Sequence, residues 1–184
     1  MNEYLDIILE FMEEAGVIAL NGQKNLKTEE KSDCSIVTQI DLQISKLFRE
    51  KIDKYLKLDN HEILDEENLP DKNTFFNSKN EFLWTIDPID GTTTYFYGLP
   101  LWAIGISLYK NFKPYIGAIY LPYSKELIYT DGEKSYYVEN AFCKDKKEIV
   151  ITAKECSLIK KSIILAHKLK DHDRLRYTML DLYS

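Results

Sequence analysis

The chain has 184 residues, the size of one domain or of a large part of a two-domain protein, and 45% hydrophobic against 29% charged residues excludes a disordered chain. Thirty acids against 24 bases leave a net charge of −6, which argues against a nucleic-acid backbone as partner, and no apolar run reaches the 18 or so residues of a membrane span. Three cysteines without CxxC spacing (Cys34, Cys143, Cys156) and an acidic start, Met1-Asn2-Glu3, read as a cytoplasmic protein with free thiols and no signal peptide.

Tyr4, Ile8, Phe11, Met12, Ala15, Ile18 and Ala19 recur at helical spacing with acids on the other faces, and Asn21-Gly22 ends that helix. Residues 23–35 are polar and read as a loop. A second helix is expected from Asp41 to Leu56, striped by Ile44, Leu47, Phe48, Ile52 and Tyr55, with Asp41 as its N-cap.

The period then falls toward two. Strands are expected over His61–Leu64, Phe82–Ile86, Ala103–Tyr109, Tyr115–Tyr120, Glu126–Thr130, Ser135–Val138 and Glu148–Ile151, with a hairpin signal at Asp131-Gly132. Ser162–Ala166 is apolar on both faces and reads as an interior strand, followed by a weak helical pattern over residues 171–183. Two helices followed by many short strands is an α+β order.

Chemistry concentrates in Trp84-Thr85-Ile86-Asp87-Pro88-Ile89-Asp90-Gly91-Thr92-Thr93-Thr94. A strand is expected to stop at Asp87, because Pro88 has no N–H to donate. Two carboxylates three residues apart, with the Ile89 carbonyl between them, are the oxygen donors a hard divalent cation takes. Gly91 permits close backbone approach, and the amides of Gly91, Thr92 and Thr93 can form a nest for an anion. The plainer reading makes Asp87 and Asp90 turn and capping residues. Two features weigh against it: Glu66-Glu67 directly after the strand His61–Leu64, and Asp41 at the second helix.

On these blocks the sequence resembles the inositol monophosphatase family of lithium-sensitive, magnesium-dependent phosphatases. Trp84 to Thr93 is similar to its WxIDPIDGTT element without departure. Ile36-Val37-Thr38-Gln39-Ile40-Asp41 is similar to its VTxxD element, and Asp65-Glu66-Glu67 to its GEE element, with Asp65 in place of glycine. The resemblance implies a Mg²⁺ site from Glu66, Asp87, Asp90 and the Ile89 carbonyl. It implies that Glu66 and Thr92, the latter paired with Asp41, orient and activate a water that attacks phosphorus, while Gly91, Thr92 and Thr93 hold phosphate. It also implies a layered αβαβα fold whose first part is a helix pair on a large antiparallel sheet, and a homodimer. The substrate class is myo-inositol 1-phosphate or a similar polyol or sugar phosphate. Thr93 suits this branch better than its relatives, whereas Thr94 replaces the branch's usual asparagine.

The expected division is a metal- and phosphate-binding domain over residues 1–160 and the start of a second α/β layer over 161–184. Since the family's further metal-binding aspartate follows in that layer, the alternative is a truncated, catalytically impaired member retaining fold, partial metal binding and dimerisation. The remaining candidates read as structural. His61, His167 and His172 lack zinc spacing, Cys34 has no placed base, Tyr95-Phe96-Tyr97 is apolar filler, and Lys144-Asp145-Lys146-Lys147 is a solvated turn.

Overall fold

The two amphipathic stripes and the alternating strands meet on one sheet face in the computed structural model, which describes residues 2–25, 28–30, 36–58, 60–68 and 80–152. Helix α1 spans Glu3–Gly22 and is capped by Asn2, whose Oδ1 accepts the Tyr4 amide at 3.1 Å. It carries Leu5, Ile8, Phe11, Met12, Ala15 and Ala19 inward, and a 3₁₀ turn over Gln23–Asn25 follows. Helix α2 spans Gln39–Leu56 and buries Ile44, Phe48, Ile52 and Tyr55.

Strands β3 (His61–Asp65), β4 (Phe82–Asp90), β5 (Ala103–Lys110), β6 (Lys113–Leu121), β7 (Glu126–Thr130), β8 (Ser135–Glu139) and β9 (Lys147–Ile151) form one sheet in chain order. The short α3, Thr92–Phe96, separates β4 from β5. Every neighbouring pair is antiparallel except β3 and β4, which run parallel with His61 opposite Phe82 and Asp65 opposite Ile86. Period-two alternation turns Trp84, Ile104, Ile106, Leu108, Ile116 and Ala118 toward α1 and α2. Trp84 is the centre of that layer, edge-on to Phe48 at 5.9 Å between ring centroids. Its indole N–H donates to His61 Nδ1 at 3.1 Å, which makes His61 a buried structural acceptor.

Three expectations are corrected here. Part of the polar stretch 23–35 is a strand: β1 (Thr28–Glu30) pairs antiparallel with β2 (Ile36–Thr38), so backbone pairing overrides the polar composition. Asp41 is not an N-cap; α2 begins two residues earlier, and Asp41 lies buried in its first turn. Nor does β4 stop at Asp87. It runs to Asp90 through a bulge in which Pro88 and Ile89 stand opposite Ile104 alone, so the missing Pro88 donor falls where the ladder is already interrupted. The expected elements at 162–166 and 171–183, the division at 160/161, and Cys34, Cys156, His167 and His172 lie outside the described residues.

Candidate active site

Parallel pairing in register places the end of β3 beside Ile86, one residue before Asp87 in β4. The Glu66 amide donates to the Ile86 carbonyl at 3.2 Å, so Glu66 leaves the sheet beside Asp87. Asp87 points away from the helices, opposite Gly105 on β5, where a Cβ would stand 3.8 Å from that of Asp87. Glu66, Thr85, Asp87, Gly105 and Ser107 border an open cleft of about 610 Å³ on this second face of the sheet. Asp90 closes β4, exposed, three residues beyond Asp87.

Asp87 is the electrostatic centre of the group. Its Oδ1 is buried without any hydrogen-bond partner. Burial first, then the Glu66 charge and a hydrogen bond shared with it, then the charges of Asp90 and Asp41, push its carboxyl from an ordinary 3.8 up to about 8. The acids meet around Asp87 as a loose set. Among the described residues no three His, Cys, Asp or Glu side chains form a finished cation cage. The donor chemistry nevertheless suits a hard divalent cation: carboxylate oxygens that repel one another, one of them buried and unpartnered, with a backbone carbonyl in the same segment.

Ile89 is buried, and its carbonyl accepts the Thr92 hydroxyl at 3.0 Å, which leaves that oxygen a second lone pair. Gly91 makes the corner between β4 and α3 at φ 89°, and an added Cβ would lie 2.9 Å from both the Leu101 carbonyl oxygen and Thr94 Oγ1. Only glycine fits that corner. Thr94 braces it: its hydroxyl stands 2.7 Å from the Gly91 carbonyl and also bonds the Leu101 carbonyl. Thr93 is exposed at the start of α3. Tyr95, buried, donates to the Ala19 carbonyl at 2.6 Å and so ties α3 to the end of α1. Burial and then the Asp41 charge push the Tyr95 phenol upward, which puts Asp41 within electrostatic reach of this corner.

Sequence reasoning missed a buried group behind Glu66. Asp65, read only as a departure from glycine, is 1% exposed and bound by Ser45 and Arg49. The signal was present in the spacing Asp41, Ser45, Arg49, three polar residues four apart on one face of α2.

Comparison with known proteins identifies the family. A profile of the inositol monophosphatase family matches residues 2–182. The fructose-1,6-bisphosphatase/inositol-1-monophosphatase of Aquifex aeolicus is 30% identical over 152 residues, 77% of this chain and 55% of that protein. The inositol-1-monophosphatase of Bacillus subtilis is 32% identical over 148 residues, 79% of this chain and 54% of that one. A solved IMPase of Thermotoga maritima superposes with a TM-score of 0.63 at 26% identity, covering 74% of this chain and 51% of its own. The chain spans about half the length of the relatives it matches. No helix among the described residues is long and apolar enough to cross a membrane.

Proposed function

The chain belongs to the inositol monophosphatase family, and from that premise we propose that it carries the metal- and phosphate-binding part of a Mg²⁺-dependent phosphomonoesterase acting on myo-inositol 1-phosphate or a similar polyol or sugar phosphate. The observation that carries the reading is the buried, unpartnered Oδ1 of Asp87 among the charges of Glu66, Asp90 and Asp41. Such an arrangement is unfavourable by itself and becomes favourable with a divalent cation among the acids. An IMPase/NADP phosphatase of similar fold, TM-score 0.64, has been solved complexed with Mg²⁺ and phosphate.

In this reading Glu66, Asp87, Asp90 and the Ile89 carbonyl hold the cation. When bound, it neutralises phosphate charge and lowers the pKa of a water within reach. Glu66 and the Thr92 hydroxyl orient the attacking water and Glu66 takes its proton, with the Asp41 charge near the same corner. The amides of Gly91, Thr92 and Thr93 face the phosphate oxygens, where developing negative charge is best met by fixed donors.

The test is phosphate release from myo-inositol 1-phosphate at millimolar Mg²⁺. Asp90→Asn, which removes a charge that holds the cation, and Thr92→Ala, which removes a water-orienting hydroxyl, are each expected to lose about 10²–10⁴-fold in kcat with the fold retained. Turnover of Thr92→Ala near the wild-type rate would remove that hydroxyl from the mechanism. Magnesium binding without turnover in the unmodified chain would favour the catalytically impaired alternative. Light scattering on the same sample tests the homodimer.

A further inference from the structure

Asp65 ends β3 with a charge in a place almost closed to water. Four donors converge on it. Oδ1 accepts Ser45 Oγ at 3.0 Å and the Glu67 amide at 3.1 Å, while Oδ2 takes Arg49 Nε at 3.1 Å and Arg49 Nη2 at 3.1 Å. Three of these donors belong to α2, on the stripe that also carries Asp41. The fourth closes the turn from Asp65 to Asn68, where the Asn68 amide returns to the Asp65 carbonyl at 2.9 Å. Glu66 is the first of the two residues inside that turn. Its backbone is held by the turn on one side and by the Ile86 carbonyl on the other, and its side chain stands exposed beside Asp87.

Asp65 is buried while Arg49 is partly exposed, and such a pair is a poor source of net stability, because desolvating the carboxylate offsets most of the attraction. An apolar pair would fill the same space. What it would not do is accept the Glu67 amide, so the turn would lose the bond that fixes its shape. We infer that the Asp65–Arg49–Ser45 clamp is a positioning device for the cation site: it fixes the turn that presents Glu66 to Asp87 and locks that turn to the helix bearing Asp41. This rests on the reading that Glu66 and Asp87 hold a divalent cation. The three clamp residues act through Glu66 and touch neither cation nor substrate.

Calorimetric titration of the chain with Mg²⁺ alone tests it, alongside thermal unfolding without metal. Glu66→Gln reports on the cation site itself and is expected to weaken binding at least tenfold. The double variant Arg49→Met with Asp65→Leu leaves no stranded charge. It is expected to melt near the wild-type temperature and yet bind Mg²⁺ about tenfold more weakly, the lower end of what outer supporting groups contribute to metal affinity. Should that variant fail to fold, Arg49→Lys keeps the charge balance and loses the two-pronged grip; about threefold weaker binding with unchanged circular dichroism is expected. Mg²⁺ affinity within twofold of wild type in the folded double variant, or in Arg49→Lys if the double does not fold, overturns the inference alone, provided Glu66→Gln binds weakly. If Glu66→Gln binds as wild type does, the cation-site reading falls and the clamp's role falls with it.

Discussion

Replacing Asp87 with asparagine is expected to stabilise the metal-free protein at alkaline pH while abolishing its response to magnesium. The carboxyl titrates near 3.8 when unfolded and is pushed up to about 8 in the fold, chiefly by burial and then by Glu66. Between those values the folded state binds the extra proton, so this carboxyl's contribution to stability is fully present below about pH 4 and is lost as pH rises toward 8. Taken at face value, a displacement of that size is worth about 5–6 kcal/mol, since one pK unit is about 1.4 kcal/mol. The residue is only half-buried and the acids can spread apart, so screening and relaxation reduce the figure to about 1–2 kcal/mol. An asparagine at this position cannot ionise, and its amide can donate to Glu66. Differential scanning calorimetry in EDTA should therefore show Asp87→Asn melting about 3–6 °C above wild type at pH 8 and converging with it below about pH 4. Millimolar Mg²⁺ should raise the wild-type melting temperature and leave the variant unmoved. Parallel pH profiles for the two proteins, or a variant less stable at pH 8, would show that the acids around Asp87 do not strain the fold.

Three further outcomes follow from packing. Gly16 of α1 faces Tyr120, where a Cβ would lie 2.4 Å from Cε1; overpacking of about 1–3 kcal/mol outweighs the helix preference of about 1 kcal/mol for alanine, so Gly16→Ala should lower the urea midpoint. Gly91→Ala combines a left-handed backbone with contact on a carbonyl oxygen and should cost about 2–3 kcal/mol in urea unfolding, with or without magnesium. His61→Leu strands the Trp84 indole N–H and should cost about 1–3 kcal/mol. Because burial lowers His61's affinity for a proton, wild type should also lose stability as pH falls below the ordinary histidine range near 6.5. That slope, read from urea midpoints across pH, should be missing in the variant.

The two helices and seven strands of the main sheet were legible because each carries its own period, as in Ile44, Phe48, Ile52 and Tyr55 of α2 or Ile104, Ile106 and Leu108 of β5. The β1–β2 ribbon was not, since Thr28-Glu29-Glu30 has no apolar face and is specified by its partner strand. Pro88 misled for a related reason: proline does forbid a ladder donor, but a bulge supplies a place that needs none. Asp41 looked like a cap because an acid near a helix start usually is one, and only the packed structure shows it turned inward. At the candidate site, Glu66, Asp87, Asp90 and Gly91 could be named from residue type and spacing. The support behind Glu66 could not, because Asp65 and Arg49 are 16 residues apart and their pairing is a property of how α2 lies on β3.

The parallel seam between β3 and β4 has a consequence in time. Among the described residues β3 pairs with one strand only, β4. Parallel pairing is also slightly weaker per residue than antiparallel pairing. Unzipping this seam would carry Glu66 away from Asp87 while β5, β6 and the helices stayed packed, so it is an opening of lower free energy than global unfolding. A cation shared by the two acids spans the seam and can be held only while it is closed. Amide hydrogen exchange over His61–Asp65 should therefore slow in proportion to magnesium occupancy, while exchange in β6 stays at the global rate. Fraying of this five-residue strand would then set the upper limit on how long the ion stays bound.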